Sequence, residues 1–459
     1  MTSTKPNVLF VAFEFPPLAS GGVQRSLYFV KYLSACGVNP IVVTPKEEDL
    51  PQIFHHGRTD TSLLKEIPEA TIIERVHCGK PEAPANKLVQ WWRIYSSVIE
   101  NFKKYWEWPL REALPGIIER YQPVAVYVTI PPFAMAPLWV DLLKDYSLPL
   151  IIDFRDAWSQ WALAPNGSYW HYQKKKKLEA EVLRKAAAVI TTSAQTRDDL
   201  LKVHPWLDPA KCTVISNGYD GNLDFPDTLT LSPTKKLVIG YVGNFYYSPE
   251  ARNNIFKPWW KKRPNRMLNY VPRKEDWLYR SPWFFFQAVK KLLELQPSLR
   301  DNIEIRFAGN KPKWMDVQVQ QAGLTDLVKH EGFLSHDDAV IFQQSCDMLL
   351  LTSAKVLGGR DYSIAGKTFE YFTMKKPILG FVCEGAQKDI LLETGMSVIC
   401  DPDKVDNNAA LLMKIIEEGI VLHPKPEALN KYHRKNLAAQ LACIIQSVSS
   451  QTNLIAQHA

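Results

Sequence analysis

Apolar runs of five to seven residues, each closed by a glycine, a proline or a polar cluster and each followed by helical periodicity, recur along this chain and limit what it can fold into. Asn7–Phe13 reads N-V-L-F-V-A-F and runs into Glu14-Phe15-Pro16-Pro17-Leu18-Ala19-Ser20-Gly21-Gly22, after which Leu27, Val30 and Leu33 stand at helical spacing. Pro40–Thr44, Ala70–Val76, Val124–Thr129 and Leu148–Ile152 continue the alternation, and Leu237–Val242, Ile303–Ala308, Leu327–Glu331 and Asp347–Thr352 repeat it. A run without polar alternation suits a strand buried on both faces, so the predicted class is α/β.

At 459 residues the chain exceeds what one core covers, and two domains of roughly 200 residues are expected. Periodicity is lost over Asn222–Lys236, with Pro226 and Pro233, and restarts at Leu237. The expected division is 1–225, a linker at 226–236, and a second domain at 237–425 with a basic aromatic insertion at about 248–280. A helix at 426–447 and a loose tail at 448–459 complete it. Seven cysteines are scattered singly, which argues against a disulfide framework or a zinc site. The first residues run straight into a strand, and no stretch reaches the roughly 18 apolar residues of a spanning helix. The expected compartment is the cytoplasm.

Two places concentrate chemistry. Gly358-Gly359-Arg360-Asp361-Tyr362-Ser363-Ile364-Ala365-Gly366-Lys367-Thr368-Phe369-Glu370 links a buried strand to a helix. A helix N-terminus offers free N–H groups and partial positive charge, and Arg360 and Lys367 add full charges where a diphosphate fits. Glu370, about one turn into the helix, could accept bonds from two sugar hydroxyls. Asp153-Phe154-Arg155-Asp156-Ala157-Trp158 sets charges directly after an apolar strand, the end that faces the ligand crevice in open α/β sheets. A plain loop–helix unit and a self-paired Asp–Arg cluster fit the same residues. Lys87–Arg111 and Lys257–Arg280 mix tryptophan with basic residues, which suits packing under a domain or contact with an anionic membrane surface. No nucleic-acid recognition module is visible.

Phe15-Pro16-Pro17 with Gly21-Gly22-Val23-Gln24-Arg25, Asp153-Phe154-Arg155-Asp156-x-Trp158, Ser216-Asn217-Gly218 and Gly366-Lys367-x-Phe369-Glu370-Tyr371 with Lys376-Pro377-Ile378-Leu379 follow one another along the chain. In this series the chain resembles the family 4 glycosyltransferases, over nearly its whole length. The resemblance implies the GT-B fold: two Rossmann-like domains facing across a cleft, with the helix at 426–447 returning to the N-domain. It further implies metal-independent sugar transfer with retention, from a nucleotide-sugar donor to a glycan or lipid-linked saccharide acceptor, as in polysaccharide biosynthesis. No cofactor is implied, since the nucleotide sugar is a co-substrate. Glu370 matches the second Glu of the family's E-x7-E signature, which contacts the donor ribose, and Gly21 and Gly22 match the loop that closes on the donor phosphates.

Three positions depart from the family pattern. Tyr362 stands where the signature has its first Glu, no Arg or Lys follows Gly243-Asn244-Phe245, and Thr129–Phe133 contains no His. An Asp-Phe-Arg-Asp subgroup lacks these features together, so the chain reads as an active variant. The expected donor site is then Gly21, Gly22, Gly243, Asn244, Lys355, Arg360, Lys367 and Glu370. Arg155 and Asp156 are expected to act in catalysis, Gln24, Asp153 and Trp158 to hold the acceptor, and no metal site is expected. Two rival readings keep part of this picture: a sugar-nucleotide epimerase on the same fold, and a non-catalytic peripheral lipid-binding protein on the inner membrane surface.

Overall fold

The computed structural model describes residues 5–54, 58–79, 86, 103–161, 165–221, 224–232 and 236–458. They divide into two compact units, Met1–Asn217 with Arg263–Pro272 and Arg434–Ala459, and Gly218–Lys262 with Arg273–His433.

The first unit is built on seven parallel strands: β1 (Asn7–Val11), β2 (Asn39–Pro45), β3 (Ile72–Val76), β4 (Ala125–Ile130), β5 (Leu150–Phe154), β6 (Ala186–Thr191) and β7 (Cys212–Val214). Their order is β3-β2-β1-β4-β5-β6-β7, so the winding reverses between β1 and β4. Successive residues of β1 face opposite layers, as the strand period requires. Val8 and Phe10 pack with Tyr127, Ile151 and, from the C-terminal helix, Leu437, Leu441 and Ile445. Leu9 and Val11 pack with Val126, Val128, Trp106 and Trp139. A buried pair ties the Gly21–Leu33 helix to the sheet: Arg25 Nε and Nη2 each donate to the Asp153 carboxylate at 2.8 Å. Tyr127 and Thr129 hydroxyls complete that carboxylate's partners at 2.6 and 3.0 Å.

The second unit repeats the plan with β8 (Leu237–Val242), β9 (Ile303–Ala308), β10 (Val328–His330), β11 (Met348–Thr352), β12 (Ile378–Phe381) and β13 (Ser397–Cys400). The order is β10-β9-β8-β11-β12-β13, all parallel, reversing between β8 and β11. Ligands of such sheets sit beyond the carboxyl ends of the strands at the reversal.

Four expectations need adjusting. The stretch read as a linker contains a strand, Leu229–Leu231, paired antiparallel with Ile420–Leu422, while Pro233 lies outside the described residues. Of the segment read as an insertion, Arg263–Pro272 belongs to the first unit. The C-terminal helix runs Arg434–His458 without the tail expected from 448, because the buried apolar stripe of Leu437, Leu441 and Ile445 continues to Val448. Within Lys87–Arg111, Trp106 is a core residue whose indole N–H donates to Val76 C=O at 3.3 Å, and Trp108 is exposed. Trp91, Trp92 and Arg93 lie outside the described residues.

Candidate functional site

In the second unit the reversal point is shaped by two glycines and a lysine. Gly243 follows β8 at φ 112° and Gly309 follows β9 at φ 124°, backbone that side chains rarely adopt. A Cβ on Gly309 would stand 2.6 Å from the Gly243 carbonyl oxygen, so the two turns touch through bare backbone. Lys367, first residue of the Lys367–Met374 helix, reaches back to this corner. Its Nζ donates to Val242 C=O at 2.5 Å and lies 3.7 Å from the centroid of the Tyr241 ring. Burial pushes the Lys367 ammonium down to about 7, with the Glu370 charge pulling the other way. A lysine held by a carbonyl and an aromatic face, and in no ion pair among the described residues, is poised to gain an anion.

Glu370 is exposed on the same helix; its backbone carbonyl accepts from the Thr373 hydroxyl at 2.7 Å, and its carboxylate makes no hydrogen bond or ion pair among the described residues. Asn244 is exposed beside Gly243, its side-chain oxygen accepting from Asn310 N–H at 3.4 Å. Ahead of the helix, buried Gln387 accepts from Ala365 N–H at 2.8 Å and from the Thr368 hydroxyl at 3.0 Å, fixing the loop that leads into it.

Two expected cations are engaged elsewhere. Arg360 makes a bidentate pair with Asp389 at 2.6 and 2.8 Å on the exposed surface. Lys355 donates to Asp403 and, at 3.2 Å, to the Tyr279 hydroxyl; the Asp403 hydrogen bond raises its pKa. Tyr362, at the position of the family's first Glu, is buried with the Arg273 guanidinium 4.2 Å from its ring centroid, and Arg273 pairs with buried Glu275 at 2.9 Å. That position is filled by packing.

Arg280 is the cation the sequence did not single out. It stacks 4.5 Å from the Trp277 ring centroid, donates to the Ser363 hydroxyl, and its Nε is buried without a partner among the described residues. Its carbonyl accepts from Thr352 at the end of β11, at 2.9 Å, and its charge acts on Tyr241, the ring beneath Lys367. The one available signal was its place at the end of the basic aromatic segment.

In the first unit a second cluster lies after β1 and β5. Ser20 occupies the N-cap position of the Gly21–Leu33 helix, but its hydroxyl donates to Glu14 and leaves the helix uncapped. Arg155 donates to Glu14 at 3.3 Å and to Pro131 C=O. Gly22 sits so close that a Cβ there would collide with the Arg155 guanidinium and stand 2.5 Å from the Glu14 carboxylate. Gly21 has open space on its Cβ side. Glu14, like Arg280, was missed, since one Glu in a proline loop carries no local signal.

The remaining expected residues divide by burial. Asp156 and Gln24 are half-buried. Asp153 is fully buried in the Arg25 pair, and Trp158 is 1% exposed, stacked on Phe133 with centroids 5.7 Å apart. Their positions make them supports of the site's walls. Among the described residues no group of three or more His, Cys, Asp or Glu stands together as a metal site.

Residues 20–218 match the family model described as Glycosyl transferase 4-like domain, and residues 283–436 match Glycosyl transferases group 1. The chain is a glycosyltransferase. Solved structures agree on the fold of this glycosyltransferase, which is GT-B. It is similar to a sucrose-phosphate synthase from Thermosynechococcus elongatus, with TM-score 0.53, 12% identity, and 99% of this chain and 98% of that chain covered. It is also similar to the lipopolysaccharide outer core galactosyltransferase WaaB, with TM-score 0.54, 11% identity, and coverage of 96% and 99%. The N-terminal domain of a Candida albicans trehalose-6-phosphate phosphatase gives TM-score 0.55 at 12% identity, covering 97% of each chain. Among the curated proteins none matches the chain.

Proposed function

We propose that this glycosyltransferase moves a sugar from a nucleotide-sugar donor to a glycan or lipid-linked saccharide acceptor, without a metal ion and with retention of configuration. The observation that carries the donor assignment is the Lys367 ammonium at the end of β8, over Tyr241 and against bare Gly243, with exposed Glu370 on the same helix. The leaving nucleotide diphosphate gains negative charge as the glycosidic bond breaks, and fixed donors that await this charge lower the barrier. Lys367 and Arg280 supply them, and the positive end of the Lys367–Met374 helix adds to their field. Glu370 accepts from the ribose hydroxyls, while Gly243 and Asn244 let backbone approach the nucleotide closely. Lys355 and Arg360 reach a phosphate only by leaving Asp403 and Asp389.

The acceptor reading assigns Arg155, Asp156 and Glu14 to the polar edge of the first unit, over the wall formed by Asp153 and Trp158. Retention follows from the family resemblance, while the singly scattered cysteines favour the cytoplasmic compartment and the basic aromatic segments favour peripheral contact with the inner membrane surface. The test is calorimetry against UDP, GDP, ADP and their sugars with a chelator present, then transfer assays with the donor that binds. Saturable binding of one nucleotide under chelation supports the reading; binding of none overturns it.

A further inference from the structure

Two stretches without a single Asp or Glu, about a hundred residues apart, meet in the first unit. Residues 165–178 read P-N-G-S-Y-W-H-Y-Q-K-K-K-K-L and residues 263–272 read R-P-N-R-M-L-N-Y-V-P. Asn166 N–H donates to Tyr270 C=O at 2.8 Å and Tyr270 N–H to Asn166 C=O at 3.0 Å. The Tyr270 ring packs on Tyr169 and Tyr172 with centroids 5.0 and 4.9 Å apart. This junction leaves large apolar groups outside: Tyr169 is 56% exposed, Trp170 59% and Leu268 65%. Lys174, Lys177 and Arg263 are exposed as well. Single exposed apolar residues need no explanation. A cluster of them in a patch holding six basic residues and no acidic one does.

We propose that this patch docks the enzyme on an anionic lipid bilayer, an inference that rests on the reading of a lipid-linked acceptor. Tryptophan, tyrosine and leucine insert at headgroup depth, and the surrounding lysines and arginines pair with lipid phosphates. Single-stranded nucleic acid is the lesser fit. It would stack bases on open aromatic faces, whereas the Lys174 ammonium lies 4.9 Å from the Trp170 ring centroid, and an exposed leucine offers nothing to a base.

The test is flotation of the full chain with phosphatidylcholine vesicles, with and without phosphatidylglycerol, in the absence of donor and acceptor. The wild type is expected to float only with the anionic vesicles. K174Q/K177Q is expected to bind roughly fivefold more weakly per lysine removed, and W170S/L268S to lose binding at unchanged charge. Both pairs lie on the surface, and circular dichroism with thermal melting checks that they stay folded. No flotation of the wild type, full flotation of W170S/L268S, or displacement from vesicles by a short single-stranded RNA overturns the proposal. Nucleotide binding without flotation refutes the docking surface alone, and flotation without nucleotide binding refutes the donor reading alone.

Discussion

Donor binding is expected to take up a proton at Lys367, because its ammonium is pushed down to about 7 in the free protein and a diphosphate beside it restores the charge. At pH 7 about half the lysines are neutral, so binding takes up about 0.5 proton; at pH 8 the figure is about 0.9. A nucleotide sugar has a fully esterified diphosphate that does not titrate in this range, so the proton is the protein's. If only the ammonium pairs with phosphate, Kd rises about tenfold from pH 6 to pH 8. Lys367→Met keeps the length of the side chain and removes the charge. It is expected to abolish the pH dependence and to weaken binding by about 10- to 100-fold at pH 6, the range for a hydrogen bond to a charged group. Calorimetry in two buffers of different ionisation enthalpy reads proton uptake directly. The sign for the free protein is fixed too: the folded pKa lies below the unfolded one, so this group's contribution to stability rises as pH climbs from about 7 to about 10.5. A flat Kd between pH 6 and 8, with no proton uptake, would refute the reasoning.

Glu370→Ala is expected to raise the donor KM about 10-fold or more, the loss of a carboxylate's hydrogen bonds to the ribose; an unchanged KM in steady-state assays sinks that assignment. Lys355→Ala and Arg360→Ala, which break exposed pairs with Asp403 and Asp389, should leave donor KM within about threefold of wild type. A loss as large as that of Lys367→Met would show that they leave those carboxylates to bind donor. Arg25→Ala strands the buried Asp153 carboxylate and is expected to cost about 3–5 kcal/mol of stability in the first unit. Scanning calorimetry checks this, and an unmoved first transition contradicts the strut.

The strands were legible because their apolar runs, such as Asn7–Phe13, suit only a position covered on both faces, and the structure gives β1 to both core layers. The helix that carries Lys367 and Glu370 was legible because it starts directly after a glycine-rich loop. Asp153 looked like a ligand-facing carboxylate in sequence. Its role as a strut depends on Arg25, 128 residues away, which no local pattern connects to it. Glu14 and Arg280 were hidden for the same reason, since each acquires meaning from a partner, Arg155 or Tyr241, that only the fold brings near. The junction of residues 165–178 with 263–272 was likewise beyond a linear reading, because the second stretch lies among residues of the other unit.

Hydrogen–deuterium exchange with and without the nucleotide sugar that binds tests the donor site most directly. Protection is expected at residues 242–244, 309–310 and 365–370, the backbone around Lys367 and Glu370. Protection confined to residues 14–24 and 153–158 of the first unit, with none around Lys367, would contradict the assignment.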